Sequence, residues 1–294
     1  MNILISGVNG FVGNAIVQQL KEGHYLIGIG TQRNTKSLVD DYFQWNIGQQ
    51  DCYFKNEIGE IDVIVHAAAC INNDDTDLTL SQTNCVGTQR ICDLAIEKKV
   101  KRVYYISSIP VIGVPQDIPI TEEHLLRPNT VYHATKLAGE FIIEQLRKRD
   151  ISVVTFRIPS PIGPGMPIKT ILPIFIQKSI NDEKISILGS GTREQNYLDV
   201  RDLTELLEQT LDLDEIDGVY NIAAAKSISN VELAKLCVKL VNSTSQIVFL
   251  NEQDILEKQK WVISCDKAIK KLNYRPRHSI KESIIDIARE MKET

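Results

Sequence analysis

Met1-Asn-Ile-Leu-Ile-Ser6-Gly-Val-Asn-Gly-Phe-Val-Gly13 opens the chain. Ile3 to Ser6 is a short apolar run rich in β-branched residues, and a helical pattern follows from Gly13 to Glu22. Between them Gly7, Gly10 and Gly13 mark a tight turn. Glycine gives such a turn its backbone angles and lets it approach a pyrophosphate closely, while the helix N-terminus offers amide donors and a favourable dipole. Strand, glycine turn and helix in that order point to a dinucleotide site.

The rhythm continues outward. Tyr25 to Ile29, Val63 to His66, Arg102 to Ile106 and Val153 to Arg157 read as strands, alternating with helices over Thr83 to Lys98 and Tyr132 to Lys148. Repeated βαβ units with continuous apolar strands predict a parallel sheet buried on both faces, an α/β Rossmann doubly wound fold. Ile158 to Pro167 then holds four prolines and two glycines, a composition expected to exclude regular structure and to mark the exit from the sheet. The expected division is a cofactor-binding domain over 1–160 and a smaller C-terminal substrate-binding lobe over 161–294, with segments near 196–223 returning to the first domain. In the lobe the pattern predicts a helix near Ile171 to Ser179, strands at Lys184 to Leu188 and Asn196 to Val200, and helices at Val231 to Val241 and Ser279 to Met291.

The 294 residues are 43% hydrophobic and 24% charged, and a net charge of −5 without a basic cluster argues against a nucleic-acid partner. Cys52, Cys70, Cys85, Cys92, Cys237 and Cys265 form no CxxC pair and no zinc spacing with histidine, so they read as reduced thiols and no metal is expected. No apolar run is long enough to span a bilayer and no basic leader precedes the first strand. The expected compartment is the cytoplasm.

The GxxGxxG spacing with Phe11 after the second glycine, Asp62-Val-Ile-Val-His-Ala-Ala-Ala69 and Asn84-Cys-Val-Gly-Thr88 together resemble the extended short-chain dehydrogenase/reductase family of sugar-nucleotide epimerases, dehydratases and reductases. The resemblance covers nearly the whole chain. It implies that Gly7, Asn9, Gly10, Phe11, Val12, Ala67, Ala68, Ala69, Asn84 and Pro159 contact the cofactor. Asn46 and Ile47 are similar to the family's adenine-contacting pair, which normally begins with aspartate. At the end of the second strand an acidic residue commonly binds the adenosine ribose, but Gly28-Ile-Gly-Thr-Gln-Arg33 has none. Thr31 and Arg33 instead suit the extra phosphate of NADP, so NADP is preferred over NAD.

Tyr132 and Lys136 lie four apart in Val-Tyr-His-Ala-Thr-Lys-Leu-Ala-Gly-Glu140 and share a helix face. A free phenol titrates near ~10, and a neighbouring ammonium and an oxidised nicotinamide both favour the phenolate, which makes tyrosine a usable acid/base. The preceding strand ends in Ile106-Ser-Ser-Ile-Pro-Val-Ile-Gly113, similar to the family's catalytic serine strand. By register against Gly113, Ser108 is the residue expected to bond the substrate oxygen, with Ser107 as the alternative. Lys136 would also hold the nicotinamide ribose, as the resemblance implies.

Family dehydratases place an Asp-Glu pair beside the catalytic serine or threonine, where this chain has Ile109-Pro110. That leaves reduction of a nucleotide-linked 4-keto-6-deoxyhexose as the leading reading and 4-epimerisation through a transient ketone as the second. A cofactor-sensing regulator without chemistry is the third, opposed by the intact Ser108, Tyr132 and Lys136. Arg157-Ile-Pro-Ser-Pro-Ile-Gly-Pro-Gly165 resembles the family's RxxNxYGPG with Ser160 and Ile162 in place of asparagine and tyrosine. Gln195-Asn-Tyr-Leu-Asp-Val-Arg-Asp202 resembles RDFVHVDD with Gln195 where an arginine contacts the nucleotide diphosphate, a charge that Arg193 would supply instead. The resemblance also implies a homodimer through the helices carrying Asn84 to Ala95 and Tyr132 to Leu146, with Ile91, Leu94, Phe141 and Ile142 as apolar positions.

Overall fold

In the computed structural model, which describes residues 1–32, 38–72, 74–257 and 259–293, the apolar runs become strands and the segments between them helices. In chain order these are β1 (Asn2–Ser6), α1 (Phe11–Leu20), β2 (Tyr25–Gly30), β3 (Asp41–Gln44), β4 (Val63–His66), α2 (Thr79–Ser81), a π-helical turn (Gln82–Gly87), α3 (Thr88–Glu97), β5 (Arg102–Ser108), α4 (Val131–Glu144) and β6 (Ser152–Ile158). There follow β7 (Ser160–Ile162), α5 (Ile171–Ile180), β8 (Ile185–Leu188), β9 (Glu194–Gln195), β10 (Tyr197–Asp199), α6 (Val200–Leu211), β11 (Gly218–Asn221), β12 (Ile228–Ser229), α7 (Asn230–Leu240), β13 (Ile247–Leu250), α8 (Asp266–Leu272) and α9 (Ile280–Glu293).

Seven strands form a parallel sheet in the order β11-β6-β5-β4-β1-β2-β3. The chain direction across the sheet reverses between β1 and β4, and in open α/β sheets the crevice outside the carboxyl ends of such strands is where ligands bind. Ile3, Leu4 and Ile5 of β1, Val63, Ile64 and Val65 of β4 and Val103 to Tyr105 of β5 are all buried, which explains why these strands read as unbroken apolar runs. Arg102, also buried, closes the C-terminal end of α6: its guanidinium donates to the carbonyls of Thr210, Leu211, Leu213 and Asp214. Thr210 and Leu211 are in the last turn of α6, where a helix leaves carbonyls without an internal partner, and Leu213 and Asp214 follow it.

The chain divides into two compact units, one of 1–114, 122–158 and 204–221, the other of 115–121, 159–203 and 222–294. The division is more interleaved than a single cut after residue 160, because residues 115–121 join the second unit. The returning segment is also shorter than the expected 196–223. In the second unit β8 pairs with β13, β9 with β12 and β7 with β10, and α5 packs on α7 and α9.

Three expectations are corrected here. The proline-rich stretch is not wholly irregular, since Ser160–Ile162 forms β7, parallel to β10 with Pro161 opposite Leu198. A two-stranded ribbon leaves one edge of each strand unpaired, which accommodates a residue with no N–H. The helix expected over 83–98 starts earlier, at Thr79, and contains the π-helical turn around Asn84. The helix expected to reach Lys148 passes at Gln145–Arg149 into a 3-10 turn that stops at Asp150 in the left-handed region, φ 57°. Among the described residues no helix is long and apolar enough to cross a membrane.

Candidate active site

The glycine turn is built by close packing. Gly7 has φ +81°, and a Cβ there would lie 2.7 Å from the Ala68 backbone; one on Gly13 would lie 2.1 Å from the Gly7 carbonyl oxygen. Both positions therefore exclude any larger residue. Gly10 differs, because it caps α1 in an ordinary extended conformation (φ −84°, ψ 164°) and a Cβ would meet only the Gly7 oxygen at 3.3 Å. A side chain at Gly10 therefore asks for a small shift of the Gly7 carbonyl, far less than one at Gly7 or Gly13. What its absence leaves open is the N-terminus of α1, which carries no side-chain cap and whose free N–H groups suit an anion.

Beside this end lies a cavity of about 300 Å³. Gly7, Asn9, Gly10, Thr31, Asn46, Ile47, Ala67, Ala68 and Ala69 all line it. Ile29, Gly30, Trp45, Cys70 and Thr83 line it too, and motif reading had passed over them. Cys70 and Thr83 are sequence neighbours of flagged residues, so extending each motif by one position finds them. The Asn9 amide nitrogen is buried without a partner among the described residues, while its oxygen accepts from the Gln32 backbone and the Tyr42 hydroxyl. An unpaired buried donor beside an open helix N-terminus and an apolar wall of alanines fits a dinucleotide carrying phosphate at one point and an adenine ring at another. Arg33 lies outside the described residues. Phe11 and Val12 form the first turn of α1 rather than the cavity wall.

Asn84 sits in the π-helical turn with its amide fully engaged. It donates to the Cys70 carbonyl (3.0 Å) and to Thr135 Oγ1 (2.9 Å) and accepts from the Cys70 N–H (2.8 Å). Its visible work is to tie the loop after β4 to α4, so contact with a cofactor is not where its polar atoms are used.

α4 starts at Thr130, whose hydroxyl accepts from the His133 N–H, the capping that ends one chain direction and begins a helix. Tyr132 and Lys136 follow, one turn apart. α4 packs on β5 and on the 3-10 turn Ile109–Ile112, and the Lys136 ammonium lies 4.1 Å from the centre of the Tyr105 ring. That contact offsets part of the cost of burying a cation. Burial nevertheless pulls the Lys136 amine down to about 7, opposed by Glu140 and Cys85. Burial also pushes the Tyr132 phenol up to about 12. The expectation that the ammonium lowers the Tyr132 phenol is thus corrected for the protein by itself: at Lys136 desolvation outweighs the attraction of Glu140, and at Tyr132 both burial and Cys70 push the phenol up.

The two serines at the end of β5 are told apart by their partners. Ser107 is buried and its hydroxyl donates to Glu140 Oε1 at 2.5 Å. Ser108 is half-buried at the N-terminus of the 3-10 turn. Pro159, Ser160, Arg193 and Gln195 belong to the second unit, Ser160 opening β7 and Gln195 closing β9. Arg193 Nε, Tyr197 Oη and Asn230 Oδ1 are buried there without partners among the described residues. Tyr197 and Asn230 were not foreseen as polar candidates.

On the helices named for a dimer, Ile91 and Leu94 are in the core beside the sheet, whereas Phe141 is exposed.

Relatives at similar distances carry different names. A dTDP-glucose 4,6-dehydratase of Streptomyces niveus is 25% identical over 259 residues, covering 81% of this chain and 77% of that protein. A dTDP-4-dehydro-6-deoxyglucose reductase of Escherichia coli is 25% identical over 301 residues, covering 93% and 92%. The crystal structure of a UDP-glucose 4-epimerase with UDP-glucose from Thermotoga maritima superposes with a TM-score of 0.88 at 19% identity, covering 100% of this chain and 99% of that one. The family model for the NAD dependent epimerase/dehydratase family matches residues 3–223, with the glycine turn, the alanine wall and the Tyr132–Lys136 helix all inside the match, and the chain belongs to that family.

Proposed function

We propose that the protein reduces a nucleotide-linked 4-keto-6-deoxyhexose, with Tyr132 as proton donor, Ser108 as the hydroxyl that holds the substrate oxygen and Lys136 as the cation between them and the cofactor ribose. The observation that carries this reading is the local structure after Ser108. The chain turns into a 3-10 helix of Ile109, Pro110, Val111 and Ile112, three of them buried apolar residues, in place of a second acid and base. Elimination of water needs those groups; reduction does not.

A reduced nicotinamide, when bound, supplies the hydride to the sugar carbonyl carbon. Tyr132 gives its proton to the carbonyl oxygen as that oxygen gains the electron pair of the C=O bond, and the ketone becomes a secondary alcohol. A phenol held up to about 12 by burial stays protonated at neutral pH and is loaded for this step. Ser108 orients the oxygen, since Ser107 is already committed to Glu140.

Arg193, with a buried and unpartnered Nε, is the group in the second unit that suits the nucleotide diphosphate, with Ser160 and Gln195 as further contacts. The cofactor reading is NADPH in preference to NADH. It rests on Thr31 in the cavity wall, the lack of a carboxylate in Gly30-Thr31-Gln32 and the charge of Arg33 in the sequence. A homodimer through α3 and α4, with Phe141 at its surface, and a cytoplasmic setting, in keeping with six unpaired cysteines, complete the reading.

Incubation with a dTDP- or UDP-4-keto-6-deoxyhexose and NADPH or NADH tests it. Stoichiometric loss of the reduced cofactor with formation of the 6-deoxysugar supports the reductase. Isomerisation of a nucleotide sugar without net cofactor loss would replace it with the 4-epimerase.

A further inference from the structure

Beneath the Tyr132–Lys136 helix lies a second buried charged group that the proposed reaction does not use. Glu140 is one turn beyond Lys136 on α4 and is buried, as is Arg157 on β6. Glu140 Oε1 accepts from Ser107 Oγ at 2.5 Å and from Arg157 Nε at 3.0 Å, and Oε2 accepts from Arg157 Nη2 at 2.7 Å. Arg157 also donates to the Glu122 carbonyl at 3.3 Å, and the Glu122 carboxylate accepts from the Asn221 N–H of β11 at 2.7 Å. One carboxylate thereby joins the catalytic helix to β5 and β6, with β11 linked through Glu122.

An ion pair buried this deeply is a poor stabiliser, because apolar side chains of similar volume fill the same space without the desolvation cost of two charges. Stability alone therefore does not account for the pair, and the surroundings of Lys136 point to a second role. The groups facing the Lys136 amine are Glu140 on its own helix, the Cys85 thiol of the π-helical turn, the Tyr105 ring of β5 and the neutral His66 of β4. Glu140 is the carboxylate in that set.

We propose that Glu140 is a positioning residue: through Ser107 and Arg157 it fixes α4 on the sheet, and its charge favours the ammonium form of the buried Lys136. Its catalytic consequence rests on the reading of Lys136 given above, but the charge coupling is measurable without turnover. Ser107 then has a stated purpose, to bind Glu140, which leaves Ser108 as the serine available to substrate.

The test is an NMR titration of the full chain labelled with ¹³C,¹⁵N-lysine, the Lys136 signal being assigned by its disappearance in Lys136→Arg. In Glu140→Gln the Lys136 midpoint is expected to fall by about one unit or more, as removal of a nearby opposite charge disfavours the charged form. Glu140→Asp restores it at least in part. Glu140→Gln leaves Arg157 buried and unpaired and is open to misfolding, so Glu140→Gln/Arg157→Met, which removes both charges together, is the second variant and is expected to show a fall in the same direction but smaller, since loss of the Arg157 cation acts against it. A midpoint unchanged in a folded variant overturns the proposal and leaves Glu140 a structural clamp. If the midpoint falls yet Lys136→Met keeps full activity, the coupling stands and the role given to Lys136 in the reaction fails.

Discussion

In the first unit the glycine turn is dictated by backbone packing, with a Cβ on Gly13 only 2.1 Å from the Gly7 oxygen; in the second unit Arg193, Tyr197 and Asn230 each keep a buried polar atom without a partner among the described residues. The first kind of constraint allows one residue type, so it survives as a readable motif. The second is set by whatever ligand completes the hydrogen bonds, and a different ligand permits a different side chain. The same contrast separates the proposed chemistry from specificity: Tyr132, the proposed proton donor, and the glycine turn are in the first unit, and the departures at Ser160, Ile162 and Gln195 are in the second. Substitutions in the first unit are therefore expected to act on kcat and cofactor affinity, and those in the second on KM for the nucleotide sugar.

The largest effect is expected from Tyr132→Phe, which removes the proton donor while keeping the ring. Loss of a positioned general acid costs roughly 10²- to 10⁴-fold in rate, and steady-state kinetics should place the loss in kcat while NADPH binding, followed by fluorescence, stays near that of the parent. Full activity in this variant would break the comparison at its strongest point.

Next come the glycines. Gly13→Ala forces Cβ into the Gly7 carbonyl, an overpacking that costs about 1–3 kcal/mol or more, and both melting temperature and cofactor affinity should fall. Gly10→Ala meets only the Gly7 oxygen, at 3.3 Å, a contact that a small shift relieves. It should lose much less melting temperature than Gly13→Ala and yet bind NADPH more weakly than the parent. Equal behaviour of the two variants would mean that Gly10 does not face a ligand.

Titration of Lys136 gives a smaller effect. Its pKa is lowered by burial to about 7, so the ammonium is present below that pH and lost above it, whereas the Tyr132 phenol, raised to about 12, remains protonated throughout. The rate of ketone reduction should be nearly flat below about pH 6, fall to about half by pH 7 and decline by up to ~10-fold per unit above it, one proton being lost. A profile flat to pH 9 would show that the reaction does not depend on the ammonium.

The contrast between the units also explains what the sequence let one read. The strands β1, β4, β5 and β6 were legible because both their faces are buried, which leaves unbroken apolar runs, and the Tyr132–Lys136 pair because a helix fixes its spacing. β7 was hidden behind Pro161, since a pairing on one edge only is a tertiary fact that composition does not carry. Ser108 and Ser107 are adjacent; register against Gly113 favours Ser108 in the sequence, and the Glu140 bond to the buried Ser107 adds a distinction that sequence does not carry. Trp45 and Ile29 reach the cavity wall because β2 and β3 end beside it, a consequence of sheet order rather than of any local signal.

The smallest effect, and the one that most sharpens the comparison, is expected from Arg193→Met. Methionine keeps much of the length of the side chain and removes its charge, so fold and cofactor binding should be preserved. If Arg193 supplies the charge that an arginine at position 195 gives in related sequences, the loss of a hydrogen bond to a charged group is worth about 1.5–3 kcal/mol, seen as a rise in KM for the nucleotide sugar of roughly 10-fold or more at unchanged kcat. Gln195→Arg in the Arg193→Met background should then recover part of that affinity, because a guanidinium returns to the family's own position. A KM that Arg193→Met leaves untouched would place the diphosphate elsewhere in the second unit, and the unpartnered Nε would need another ligand.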